Sequence, residues 1–114
     1  TYPGAFSQIM TNLVMNSLIH AFEDRDRGEI RIHIVLKEKE TMSFIYQDNG
    51  RGIPQEHVPK VFDPFFTTRR FEGGSGLGLH IVYNLVTQKL KGSITCQSQL
   101  GKGTTFTLDL PLLL

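Results

Sequence analysis

The residues with the clearest capacity for chemistry form one short run, Asp48-Asn49-Gly50-Arg51-Gly52-Ile53-Pro54. It follows Met42 to Asp48, a stretch whose composition suits a β-strand. Side chains alternate along a strand, so Met42, Phe44, Tyr46 and Asp48 share a face. A face that buries the first three carries the Asp48 carboxylate into the same interior layer. An ionised carboxylate there is costly unless donors reach it, and either the protein or a ligand must supply them. Asn-Gly also signals a hairpin turn. The returning segment, Arg51 to Pro59, nevertheless shows no alternation and holds prolines at 54 and 59, which cannot donate to a ladder. The chain is therefore expected to leave the sheet at Asp48, with Gly50 and Gly52 open to close approach.

Two further groups draw attention. Asn12, Asn16 and His20 are spaced by four, which stacks them along one stripe of a helix. Asparagine is a mediocre helix former, and a single buried one is best explained by hydrogen bonds to neighbouring backbone. Two in register with a histidine favour a polar site. The second group is Gly74-Ser75-Gly76-Leu77-Gly78, just before a helical pattern. Bare N–H groups at a positive helix end can cradle phosphate. The spacing is neither the dinucleotide G-x-G-x-x-G nor a Walker loop, so the glycines alone are weak evidence.

These groups must be positioned by regular elements, and the pattern supplies them. Ala5 to Phe22 reads as a helix whose inward stripe is Phe6, Ile9, Met10, Leu13, Ser17 and Ala21. Glu23 to Gly28 is a charged connection. Glu29 to Lys37 alternates as a half-buried strand and pairs with Met42–Asp48 as an antiparallel hairpin. Pro54 opens a short helix over 55–62, and Phe62, Phe65 and Phe66 anchor a loop from Thr67 to Ser75. A second long helix runs to about Lys91 with Leu79, Val82, Leu85, Val86 and Leu90 inward and Gly92 as its terminator. Ser93–Ser98 and Thr104–Leu110 form a second hairpin. Two hairpins and two long helices predict an α+β, two-layer sandwich: a mixed, mostly antiparallel sheet covered on one face by helices.

Length and composition set bounds. At 114 residues and 39% hydrophobic content, the chain is one domain with a modest core. No apolar run is long enough to span a bilayer and no signal-peptide pattern opens it, so a soluble piece is expected. A net charge of +1 offers no basic footprint for nucleic acid. The single cysteine, Cys96, excludes an internal disulfide and reads as a strand residue rather than a nucleophile. Histidines 20, 33, 57 and 80 lack the spacing of a zinc site.

In order, Asn12-x-x-x-Asn16, Asp48-x-Gly50-x-Gly52, Phe62-x-Pro64-Phe65-Phe66, Gly74-x-Gly76-x-Gly78 and Gly101-x-Gly103-Thr104 resemble the five boxes of the sensor histidine kinase ATP-binding domain. That domain has the Bergerat fold, shared with gyrase B-type ATPases, and the resemblance covers nearly the whole chain. It implies that Asp48 accepts from the adenine amino group with Thr104 helping through water, and that Gly50 and Gly52 let adenine lie close to the backbone. Asn16 would ligate Mg²⁺, with Asn12 supporting that end. Phe62, Phe65 and Phe66 would anchor an ATP lid over about 67–75. Gly74, Gly76, Leu77 and Gly78 would cradle phosphates, with Arg69 as the basic residue reaching them.

Two departures accompany it. Many members of the family carry a lysine three residues after the magnesium asparagine; here Ile19 stands there, which leaves His20 as the substitute. The family usually has a strand before its first helix, so residues 1–114 are expected to be an N-terminally truncated domain whose sheet is short at one edge. Relatives that hydrolyse ATP place a glutamate where Asn12 stands, and an asparagine cannot act as a base. The resemblance thus implies a kinase half-site passing the γ-phosphoryl group to a histidine on a separate dimerisation domain. A response regulator receiver domain would lie downstream, in the cytoplasm, with no membrane contact by this domain and the parent's anchoring left open. A serine kinase of the same fold, or a non-catalytic nucleotide-binding module, is the alternative.

Overall fold

A computed structural model describes residues 3–22, 27–38, 40–66 and 78–112. Helix α1 spans Pro3–Asn16 and continues through one π-helical turn, Ser17–Ala21. Strands β1 (Ile30–Lys37) and β2 (Thr41–Asp48) follow, then a single 3₁₀ turn at Val58–Lys60 in place of the expected short helix. Helix α2 (Gly78–Asn84) also ends in a π-helical turn, Leu85–Lys89, and strands β3 (Ser93–Gln99) and β4 (Gly103–Pro111) close the chain.

The four strands form one sheet in the order β1-β2-β4-β3. Every pairing among the described residues is antiparallel, so the expected parallel admixture is absent from them. The register aligns the inward rows: Phe44 faces Leu108 and Ile34, and Tyr46 faces Phe106 and Ile32. On this face the two helices lay Ala5, Ile9 and Leu13 from one side, and Val82, Val86 and Leu90 from the other, against Phe44, Tyr46, Phe106, Leu108 and Leu110. The four-residue spacing within each helix is what puts these side chains on one stripe. Each full burial of a residue such as Leu13 contributes roughly 1.5–3 kcal/mol. Phe6 meets Phe44 edge-on at a centroid separation of 5.2 Å, which pins the first turns of α1 to β2.

Two expectations need correction. The alternation of β1 predicted a half-buried strand, yet Ile32, Ile34 and Leu36 are 44%, 58% and 72% exposed. They face the helical side in register with β2, but β1 lies at the sheet edge and the described helices do not extend over it. The second concerns the end of α2, where Gly92 was expected as the terminator. Instead Lys91 takes the left-handed conformation, at φ 60°, and the Gly92 N–H donates to the Val86 carbonyl at 2.8 Å.

Candidate nucleotide site

β2 delivers Asp48 to the inner layer as its alternation predicts, and the residue is 6% exposed. Its donors come from the protein. Ser17 Oγ donates to Asp48 Oδ2 at 3.1 Å, and the Gly50 N–H donates to Oδ1 at 3.0 Å. The question left open between protein and ligand is therefore answered for one donor on each oxygen. A carboxylate has about four acceptor positions, so capacity remains on the side that faces a cleft.

That cleft has a volume of about 450 Å³, within the range of small-molecule sites. Asn16, His20 and Ala21 line it from the end of α1, Asp48 and Thr104 from the sheet, and Arg51 to Pro54 from the loop after β2. Val61, Phe66, His57, Leu79 and Leu100 complete the wall. Apolar groups thus surround a few polar atoms, which suits a flat heteroaromatic ligand with a hydrogen-bonding edge.

The loop after β2 is not a hairpin. The Glu29 N–H donates to Asn49 Oδ1 at 2.7 Å and the Asn49 N–H to the Glu29 carbonyl at 3.1 Å. The Arg51 N–H donates to the Ala21 carbonyl at 3.0 Å, and the Arg51 carbonyl accepts from the Gly101 N–H at 2.8 Å. The loop is thereby stitched to the π-helical turn on one side and to the β3–β4 turn on the other. This stitching accounts for its glycines. A Cβ on Gly50 would overlap Ala21, and one on Gly52, which has φ 80°, would overlap the Gln99 carbonyl. What lies close to these two residues is the protein's own chain, although Gly52 also borders the cleft.

The asparagine stripe divides. Asn12 Nδ2 donates to the Gly78 carbonyl at 3.2 Å and its Oδ1 accepts from Gln8 Nε2 at 2.8 Å, so this amide ties α1 to the first residue of α2. It does not line the cleft. Asn16 does, half-buried, and its amide has no hydrogen-bond partner among the described residues. Of Ile19 and His20, only His20 reaches the cleft wall. Thr104 sits opposite Asp48 in the ladder, 5% exposed, with its Oγ1 2.8 Å from Ser98 Oγ. Phe62 packs on Phe106 and Tyr83, and Phe66 meets the His57 ring edge-on at 5.3 Å, whereas Phe65 is 57% exposed at φ 67°. Arg69, Gly74, Gly76, Leu77 and the whole of the expected lid, 67–75, lie outside the described residues.

Sequence reasoning missed Ser17, Tyr46 and His57. Ser17 passed as a small residue on an apolar stripe, and only its complete burial marks it as a hydrogen-bonding group. Tyr46 was read as core; burial, and secondarily the Asp48 charge, raise its phenol above the usual range while the bond to Ser17 pulls the other way. Burial, with the Asp48 charge second, also pushes the Cys96 thiol up to about 12, which keeps it protonated and unreactive.

Comparison with known proteins agrees with this geometry. The family model for "Histidine kinase-, DNA gyrase B-, and HSP90-like ATPase" matches residues 1–114. The sensor kinase CckA of Brucella abortus is 36% identical over 97% of this chain, and the sensor protein SrrB of Staphylococcus aureus is 38% identical over 91%. The chain spans 13% and 18% of those two proteins. A solved histidine kinase domain of the Erythrobacter litoralis blue-light activated kinase superposes with a TM-score of 0.69 at 29% identity, over 96% of this chain and 44% of that one. These matches identify the two-layer sandwich, with its buried carboxylate beside a cleft at the sheet's end, as an ATP-binding domain of this family. The chain belongs to the histidine kinase-, DNA gyrase B- and HSP90-like ATPase family, as an ATP-binding catalytic domain of the two-component sensor kinase kind.

Proposed function

We propose that this domain binds Mg²⁺–ATP and presents its γ-phosphoryl group to a histidine on a separate dimerisation domain of a longer parent kinase. A response regulator receiver domain would accept the group afterwards. The observation that carries the reading is the buried Asp48 carboxylate with acceptor capacity turned to a cleft of adenine size. Adenine's 6-amino group fills that capacity, with Thr104 beside it. The apolar wall from Ile53, Leu79 and Phe66 takes the faces of the ring.

Asn16 fits a magnesium ligand: it offers a neutral amide oxygen to the cleft without a competing partner among the described residues. Mg²⁺ usually takes few protein ligands and shares the rest with phosphates and water. No group of three or more His, Cys, Asp or Glu that could hold a metal occurs among the described residues. When bound, the ion would neutralise phosphate charge. The protein's share is positioning, which dominates phosphoryl transfer. His20 lines the same wall and takes the place of the usual lysine. Asn12 braces α2 against α1, and Arg69, Gly74, Gly76, Leu77 and Gly78 would enclose the phosphates. No helix among the described residues is long and apolar enough to cross a membrane, and a cytoplasmic setting follows from the phosphorelay reading.

Mixing the chain with a histidine-bearing dimerisation domain and labelled ATP tests the proposal. Acid-labile phosphate on the partner is expected. Acid-stable phosphoserine would reassign the chain to a serine kinase, and nucleotide binding without transfer would make it a regulatory module.

A further inference from the structure

We propose that Ser17 and Tyr46 are positioning residues for the purine: a buried hydrogen-bond chain, Tyr46 to Ser17 to Asp48, aims the carboxylate and sets the preference for a 6-amino purine. The proposal deepens the adenine reading above and rests on it. Ser17 Oγ lies 2.8 Å from the Tyr46 hydroxyl and 3.1 Å from Asp48 Oδ2, and both Ser17 and Tyr46 are fully buried. Each hydroxyl has one proton. Asp48, as a carboxylate, can only accept, so the Ser17 proton goes to Asp48. The Tyr46 proton then goes to Ser17 Oγ, its nearest acceptor, with the Leu13 carbonyl at 3.2 Å as the weaker alternative. The elevated phenol pKa of Tyr46 agrees with its remaining a donor.

The consequence is directional. Oδ1 is fixed by the Gly50 N–H and Oδ2 by Ser17, so the carboxylate plane cannot rotate without breaking one of two bonds. The acceptor positions left over are held towards the cleft before any ligand arrives. A pre-aimed acceptor discriminates between ligands that carry a donor at that point and ligands that lack it. Ser17 occupies this place because it opens the π-helical turn directly after Asn16. The turn that bears the purine support therefore adjoins the residue assigned to the metal.

The test measures dissociation constants for ATP and for purine riboside triphosphate, which lacks the 6-amino group, in the parent sequence and in Ser17→Ala, Ser17→Thr and Tyr46→Phe. The parent should prefer ATP by about tenfold or more. Ser17→Ala should weaken ATP by roughly five- to tenfold while moving the analogue by less than about twofold, collapsing the preference. Ser17→Thr should restore it, and Tyr46→Phe, which leaves the Ser17–Asp48 bond in place, should lose part of it. Equal weakening of both ligands in Ser17→Ala, or an unchanged ratio in a variant that melts cooperatively, would overturn the proposal and leave the adenine assignment standing. A parent sequence with no preference for ATP would instead overturn the adenine assignment, and this inference with it.

Discussion

On the proposed reading, Asp48 concentrates the site's specificity in a single carboxyl, and replacing it tests the idea at the smallest scale. Asp48→Asn keeps the volume but removes the charge, and it places an NH₂ where Oδ1 or Oδ2 accepted. Against either the Gly50 N–H or an incoming amino group, donor then meets donor. ATP affinity should fall roughly tenfold or more, since hydrogen bonds to a charged partner are worth ~1.5–3 kcal/mol. Titration calorimetry gives the constant, and a melting temperature close to the parent's would show the fold is intact. An unchanged dissociation constant would refute the adenine assignment. Cys96 permits a second test. Its thiol is raised to about 12 in the folded chain, whereas an unfolded thiol ionises near ~8.5. The unfolded state therefore releases this proton first as pH rises. Stability from this group is complete below about pH 8.5 and is lost progressively towards 12. Denaturant titrations at pH 8, 9 and 10 should show a decline that Cys96→Ala makes shallower. A parallel decline in the variant would assign the effect to other groups.

At the scale of elements, the sequence announced phase well and extent poorly. The alternation of Met42, Phe44, Tyr46 and Asp48 set the inward face of β2 correctly, because a strand's period leaves only two choices. The same logic put Ile32, Ile34 and Leu36 on the inner face of β1, where the register places them. Periodicity says which side a residue faces, but it cannot say whether a helix reaches that far, and here the described helices stop over β2. The π-helical turns were equally illegible, for the spacing from Asn16 to Ala21 is compatible with an ordinary helix. Only Ser17's bond to Asp48 shows what the widened turn positions. The glycines of the Asp48 loop were noticed for the right property, close approach, but the partner was hidden because it comes from distant segments. Gly52→Ala tests this account. A Cβ there has to adopt positive φ and overlaps the Gln99 carbonyl, so the loop and the β3–β4 turn must separate. The cost should be ~1–3 kcal/mol by urea denaturation, with nucleotide affinity falling as the cleft wall shifts. A neutral result would mean the two turns are not held together as described.

Across the whole molecule the cleft is a meeting place rather than a property of any single element. Its walls come from the end of α1, the end of β2 with the loop after it, the 3₁₀ region, the start of α2, and the β3–β4 turn with the start of β4. A ligand seated there adds a bridge between segments already joined by bonds such as Arg51 with Ala21 and with Gly101. Binding should therefore register as global stability, because a nucleotide held by five segments has no counterpart in the unfolded chain. At a hundredfold excess over its dissociation constant, a ligand specific for the native state adds ~2.7 kcal/mol. For a domain of this size that corresponds to a rise in melting temperature of roughly 10 °C or more. Magnesium and ATP together should produce it, ATP with a chelator should produce less, and Asp48→Asn should produce little at the same concentrations. The ordering matters more than the size of the shift. If the chelator makes no difference, Asn16 is not contributing through a metal. If Asp48→Asn responds like the parent, the nucleotide is bound elsewhere on the molecule.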